Sequence, residues 1–172
     1  MKVQTNIRSV INSIRDYQNT INVKTKVFLE RLAEVGIEGA TVRFQSAIYD
    51  GTNDVVVDRQ LEWVDDHTMR IVARGKAVTF IEFGAGVHFN AQVHPKASEL
   101  GAIRGTYGHG NGMRDAWVYR GDPGTMGIVL KRDDLKGNKI LTHGNPANRC
   151  LYDVGKDLRR EAERIAKEVF AE

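Results

Sequence analysis

The segment GNPANRCLYDVGKDL, residues 144–158, opens the best-defined element of the chain. Asn145 suits the N-cap of a helix, and Pro146 suits the first helical position, where the missing N–H of proline costs nothing. Apolar side chains then recur at helical spacing, at Leu151, Val154, Leu158, Ala162, Ile165 and Val169. The pattern predicts an amphipathic C-terminal helix over residues 145–171, whose apolar stripe must pack against another element.

A second helical pattern lies at the N-terminal end of the chain. Apolar residues from Ile7 to Val35 fall at steps of three, four or seven, which places them on one stripe of a helix. The stripe weakens at Lys24 and Thr25, so the pattern fits either one kinked helix or two helices. Gly36 and Gly39 are expected to end the helix. The pattern therefore predicts a helix over residues 6–36, which makes residues 1–36 the helical N-terminal part of the chain.

Residues 40–83 alternate between apolar and polar side chains, as strands with one buried face do. Turn-forming residues interrupt the alternation at 50–53, at 65–67 and at 74–76. Short turns between successive strands indicate an antiparallel meander. The last predicted strand ends in the segment AVTFIEFGAG, residues 77–86.

The regular pattern thins out between residues 84 and 144. Eight glycines lie between Gly101 and Gly127, and short strands are predicted at residues 116–120, 128–130 and 139–142. A structureless loop of this length is unusual inside a compact domain. We interpret the stretch as a glycine-rich arm that packs on a neighbouring subunit. Residues 1–172 are predicted to form a single α+β domain: long N-terminal helix, antiparallel meander, extended arm and C-terminal helix.

Composition excludes several classes of protein. The chain has 172 residues, of which 41% are hydrophobic and 27% charged, values typical of one globular domain. No apolar run approaches the roughly 20 residues that span a bilayer, and the N-terminus lacks a signal-peptide core, so no membrane association is expected. The single cysteine, Cys150, fits a reducing compartment. A net charge of +3 is too small to indicate nucleic-acid binding by itself.

Charges are distributed unevenly along the chain. Residues 37–83 carry five basic and eight acidic groups, whereas residues 84–148 carry eight basic and five acidic groups. Such segregation suits subunits that meet through opposite charges, and a solvated surface explains it equally well.

The sequence offers weak candidates for catalysis or cofactor binding. Gly84-Ala85-Gly86 lacks the third glycine and the following helix of a dinucleotide loop, and a sharp turn explains it better. Cys150, at a helix start, would have a lowered pKa, but a buried cysteine on a helix face is the ordinary case. No catalytic residue, cofactor site or metal site is therefore assigned, and the chain is not expected to be an enzyme.

Five histidines are candidate metal ligands: His67, His88, His94, His109 and His143. None forms the i, i+4 pair of a zinc hydrolase helix. His88, His94 and His109 could meet only through folding or across subunits, and solvated loop histidines are the simpler interpretation.

Glu82 stands out among apolar neighbours at the predicted strand end. A buried carboxylate requires a partner, so a structural or intersubunit ion pair is expected. Separately, four aromatic residues have arginines nearby, which could stack on bases. They are Trp63, Trp117, Tyr107 and Tyr119, with Arg104, Arg114 and Arg120. A small nucleic-acid-binding module is thus the alternative function, although such aromatics usually serve as core or interface anchors.

Three segments in this order resemble the neck and tail-completion family of long-tailed bacteriophages. They are residues 77–86, residues 113–119 (MRDAWVY) and residues 144–158. The family usually reads Glu-aromatic-Gly-Thr-Gly at the first segment, where this chain has Ala85. The residues that match are Glu82, Phe83, Gly84, Gly86, Trp117, Tyr119, Pro146 and Tyr152.

The resemblance implies a structural virion protein assembled in the bacterial cytoplasm. It implies a homo-oligomeric ring that joins the head connector to the tail around the DNA channel. The implied neighbours are head-closure or connector proteins on one side and tail terminator or tail tube proteins on the other, with genomic DNA passing nearby.

Overall fold

The computed structural model describes residues 7–89, 91–103, 110 and 113–171. Helix α1 spans Ile7–Gln45 as one helix of 39 residues. It passes through Gly36 and Gly39, so the predicted end at residue 36 is wrong. A Cβ on Gly36 would lie 2.2 Å from Cδ1 of Ile71 and 3.1 Å from Cδ1 of Leu158. This glycine therefore permits close packing inside the helix instead of ending it.

The C-terminal helix, α3, spans Cys150–Phe170 and runs antiparallel to α1. Arg43 and Asp157 form an ion pair of 2.5 Å near one end of the helix pair. Near the other end, the rings of Phe28 and Phe170 lie 6.2 Å apart. The predicted start at residue 145 is wrong, because residues 145–149 form an irregular segment ahead of the helix.

A short helix, α2, spans Val78–Phe83. The core lies where α1, α2 and α3 meet. The buried core cluster consists of Ala40, Phe44, Val57, Ala77, Ile81, Cys150 and Val154. Residues 40–45 and 78–83 were predicted as strands, and both segments are helical instead. A short apolar run fits a strand or a buried helix equally well, because either places side chains against the core.

The period of α3 predicts which of its side chains stabilise the fold. Ile165 is 2% exposed, as its position on the apolar stripe requires, whereas Glu163 lies on the exposed face. We expect Ile165→Ala to lower the free energy of unfolding by about 2–4 kcal/mol, through lost burial and the cavity left behind. Glu163→Ala should change it by less than about 0.5 kcal/mol. Urea unfolding of both variants checks this, and equal losses would show that the helix is packed differently.

Two small antiparallel sheets follow α1. Strand β1 (Val56–Val57) pairs with β4 (Ala73–Arg74), and β2 (Glu62–Asp65) pairs with β3 (Thr68–Arg70). The antiparallel pairing predicted for this region is confirmed, but the predicted meander is wrong, because β1 pairs with β4 and not with its neighbour β2. The strands are shorter than the alternation suggested, and they form two separate two-stranded ladders.

A three-stranded antiparallel sheet occupies the second half of the 84–144 stretch. Its strands are β5 (Trp117–Gly121), β6 (Ile128–Lys131) and β7 (Asn138–Thr142), in the order β5–β7–β6. The three short strands predicted here are confirmed. Asp50 fastens the sheet to the end of α1, since its carboxylate accepts hydrogen bonds from the Met126 N–H at 2.7 Å and the Thr142 hydroxyl at 2.6 Å.

The architecture agrees with the predicted α+β class, with a long N-terminal helix, antiparallel sheets and a C-terminal helix. Among the described helices, none is both long enough and apolar enough to cross a membrane.

Candidate functional site

Three of the residues that carry the family resemblance, Glu82, Phe83 and Tyr152, meet at the N-terminus of α3, and Glu82 is the central side chain. Glu82 lies in α2 and is 4% exposed. Its Oε2 accepts a hydrogen bond from the Leu151 N–H at 2.9 Å, and its Oε1 accepts one from the Tyr152 N–H at 3.1 Å. The first N–H groups of a helix lack intrahelical partners, and the helix dipole favours a negative charge there. Glu82 therefore caps α3 from a different element.

The local sequence of α3 does not supply a cap of its own. Arg149 occupies the N-cap position with φ 55° and ψ 37°, and its side chain makes no capping hydrogen bond. The prediction of Asn145 as the N-cap is wrong. A left-handed residue directly ahead of the helix turns the chain, so the distant carboxylate of Glu82 can reach the free N–H groups.

His94 is the third partner of Glu82. The His94 side chain is 2% exposed, and its Nε2 lies 3.1 Å from Oε1 of Glu82. The Nδ1 atom accepts a hydrogen bond from the Lys96 N–H at 3.0 Å, so the ring proton resides on Nε2 and is donated to the carboxylate. The imidazole also contacts two aromatic rings, with its centroid 4.5 Å from that of Phe83 and 5.2 Å from that of Tyr152. The view of His94 as a solvated loop histidine is wrong.

Two asparagine side chains hydrogen-bond the segment 144–149 to α2. The Asn145 amide donates to the carbonyl of Phe80 at 2.8 Å. The Asn148 side chain accepts from the Ile48 N–H at 2.8 Å and donates to the carbonyls of Ile48 at 2.9 Å and Ile81 at 3.1 Å. The last carbonyls of a short helix need such partners. We call Glu82, His94, Asn145 and Asn148 the polar junction.

The polar junction has the residue types of a catalytic site but not its accessibility. The Glu82 carboxylate accepts three hydrogen bonds, and both ring nitrogens of His94 are in use. Burial, with a smaller contribution from the nearby Glu82 charge, raises the pKa of the Cys150 thiol to about 12. The lowered pKa expected for Cys150 at a helix start is therefore wrong, because burial outweighs the helix dipole. The junction is suited to holding three segments rigidly together.

The glycines beside the junction have the conformations that the sequence predicted. Gly84 and Gly86 have φ of 82° and 78°, values that a side chain disfavours. A Cβ on Gly86 would lie 2.8 Å from the carbonyl oxygen of His143 and 3.0 Å from the ring of Trp117. Gly86 therefore allows three segments to approach closely.

Of the other residues that match the family motifs, some contact the polar junction and others lie outside it. Phe83 and Tyr152 contact His94, and Pro146 is buried in the segment between the two asparagines. Trp117 packs against Gly86 beyond the junction. Tyr119 lies apart on β5, where its hydroxyl donates to the carbonyl of Asp122 and burial raises its pKa.

Two exposed apolar surfaces lie away from the junction, and the first is on α1. Every residue from 7 to 20 is exposed, and we call this part of the helix the α1 arm. Helix α1 is about 58 Å long and α3 about 31 Å, so the arm projects beyond the end of α3. One face of the arm carries apolar side chains that are 42–71% exposed. These form the arm stripe, Ile7, Val10, Ile11, Ile14 and Tyr17.

The second apolar surface is on the three-stranded sheet. Val118 pairs with Leu141 across one ladder, and Ile128 pairs with Leu141 across the other. Directly opposed residues in antiparallel strands point to the same face, so these three side chains form a row. Val118 is 46% exposed and Ile128 is 53% exposed. We call Val118, Leu141 and Ile128 the sheet row.

No protein-family model, curated protein or solved structure matches this chain.

Proposed function

We propose that this chain is a structural subunit of a tailed-bacteriophage virion, which assembles with copies of itself into a ring at the neck. The observation that supports assembly with copies of itself is the arm stripe. Five large apolar side chains on one helix face are 42–71% exposed, and an apolar helix face normally packs against another surface. A second copy of the same chain supplies that surface.

The geometry favours a head-to-tail arrangement. The arm stripe and the sheet row are different surfaces, one on a helix and one on a sheet face. A contact between unlike surfaces repeats from copy to copy, and it closes into a ring when the rotation between copies closes. We propose that the arm stripe of one copy lies on the sheet row of the next.

The polar junction serves this role by rigidity. The α1 arm can hold a neighbouring subunit at a fixed angle only if the domain that carries the arm is rigid. The junction joins α2, α3 and the segment that leads from β7 into α3, and most of its hydrogen bonds are buried or half-buried. A fixed angle between arm and sheet would set the size of the ring.

The position in the virion rests on the resemblance of residues 77–86, 113–119 and 144–158 to the neck and tail-completion family. On that basis the ring would lie between head-closure or connector proteins and tail terminator or tail tube proteins, with DNA in its channel. The nucleic-acid-binding alternative has less support. Trp63 and Trp117 are half-buried rather than exposed as stacking platforms, and Tyr107 and Arg104 lie outside the described residues.

A single charge on the arm tests self-association. We expect Ile14→Asp to lower the association constant at least about 100-fold, because a carboxylate at the centre of an apolar contact must lose its hydration. The matched control is Asn12→Asp, which adds the same charge on the opposite face of the same turn. Sedimentation velocity over a range of protein concentrations measures both variants beside the wild type.

The free subunit should be equally stable in both variants, because Ile14 is 60% exposed. Urea unfolding of dilute protein verifies this. A wild type that stays monomeric at every concentration would contradict the self-association proposal, and so would equal association of the two variants.

A further inference from the structure

Three side chains from distant parts of the sequence meet beside Gly86 and form a candidate ligand set for a metal ion. They are His88, Asp115 and His143, and one ligand atom from each lies within 4.8 Å of the other two. His88 Nδ1 is 3.4 Å from one carboxylate oxygen of Asp115, and His143 Nδ1 is 3.8 Å from the other. The two imidazole centroids are 4.7 Å apart.

The backbone fixes the three segments that carry these residues. Ala85 and Asn145 exchange two hydrogen bonds of 3.0 Å, and the Val87 N–H donates to the carbonyl of Arg114 at 3.1 Å. His88 and Asp115 each follow a residue of the second pairing, and His143 lies two residues before Asn145. The meeting of the three side chains therefore follows from main-chain pairing and does not depend on surface side chains alone.

One ligand is also oriented by a neighbouring group. The Nδ1–H of His143 donates to the carbonyl of Asp115 at 3.1 Å, which leaves Nε2 of this ring with its lone pair available. Metal-binding histidines characteristically donate their second ring N–H to a carbonyl or carboxylate in this way. The three side chains are 42–68% exposed, so an ion can enter from solvent.

We infer that His88, Asp115 and His143 bind one divalent transition-metal ion, with zinc as the best match. Two imidazoles and one carboxylate are typical ligands of Zn²⁺, and a fourth position is left for water. A tetrahedral zinc with bonds of about 2.0–2.1 Å places its ligand atoms about 3.4 Å apart. One ligand atom from each side chain already lies within 4.8 Å of the other two, and rotation of these exposed side chains can bring His143 Nε2 and its partners to the tetrahedral spacing.

Such an ion would have a defined structural effect. His88 and Asp115 stand at the two ends of the 88–115 segment, and His143 follows the end of β7. One ion would join both ends of that segment to the sheet. A metal that binds only the folded chain adds to the stability of the fold.

The test is calorimetric titration of tag-free, EDTA-treated and desalted protein with zinc chloride. We expect one zinc ion per chain, and at least about 10-fold weaker binding in His88→Ala and in His143→Ala. The matched control is His67→Ala, which removes an exposed histidine from the β2–β3 turn and should leave the affinity unchanged. Cobalt chloride gives an independent readout, since a visible absorption band should appear with the wild type and be lost in His143→Ala.

Asp115→Asn guards against variants that fail to fold. The Asp115 side chain is 68% exposed, so this variant should match the wild type in thermal unfolding with EDTA present, yet bind zinc at least about 10-fold more weakly. Absence of binding at millimolar zinc would overturn the inference. Undiminished binding in Asp115→Asn and both histidine variants would overturn it too, because the ion would then be held elsewhere.

Discussion

Replacement of Glu82 by alanine is expected to lower the free energy of unfolding by about 3–5 kcal/mol, the cost of breaking a buried charged network. The alanine leaves His94 Nε2–H and the N–H groups of Leu151 and Tyr152 without their acceptor. Glu82→Gln keeps the shape but loses the charge opposite the helix N-terminus, so a smaller loss of about 1–3 kcal/mol is expected. Urea unfolding of the dilute subunit measures both variants.

Glu99→Ala provides the matched control, because the Glu99 side chain is 66% exposed and forms a surface ion pair with Lys96. Its effect should stay below about 0.5 kcal/mol. If Glu82→Ala changed stability as little as Glu99→Ala, the junction could not be what joins α2 to α3. Sequence analysis left a structural and an intersubunit ion pair open for Glu82, and its hydrogen-bond partners His94, Leu151 and Tyr152 lie in its own chain, as in the structural alternative.

Gly144→Ala should have a comparable effect through the backbone. Gly144 has φ of +80°, and an added Cβ would lie 2.0 Å from the carbonyl oxygen of Ala85. Backbone strain of about 1–3 kcal/mol adds to overpacking of about 1–3 kcal/mol, so a total loss of about 3 kcal/mol or more is expected. The same urea unfolding measurement applies.

Gly101→Ala separates the two contributions. Gly101 has φ of +67°, but a Cβ there would meet nothing within 4 Å. Only the strain remains, and a loss of about 1 kcal/mol is expected. Equal losses at Gly101 and Gly144 would show that residues 85 and 144 are not as close as described.

Local periodicity was enough to predict that the chain has a helix near each terminus, although not where α1 ends or α3 begins. It also predicted the short strands of the third sheet. The apolar stripe of α3 correctly placed Ile165 inside and Glu163 outside. The segment 78–83 was beyond such reasoning, because VTFIEF places apolar side chains on both faces and fits either structure. The predicted helix end at Gly36 was wrong because glycine often ends helices but also permits close packing within them.

The polar junction could be predicted only in part. The burial of Glu82 and its need for a partner follow from its apolar neighbours in sequence. Its actual partners do not, because His94 lies in an irregular stretch and α3 lies 69 residues further on. Asn145 looked like an ordinary helix N-cap and Asn148 fell inside the predicted helix, yet both side-chain amides donate to carbonyls of α2. Contacts of this kind depend on tertiary structure and leave no periodic signal.

The proposed function is tested most directly by cryo-electron microscopy of tailed phage particles, in which this chain is expected to be present. We expect a closed ring of identical subunits between head and tail, in which residues 7–20 of each copy are covered by the sheet row of the next. A particle without this chain, or one that holds a single isolated copy with an uncovered α1 arm, would contradict it.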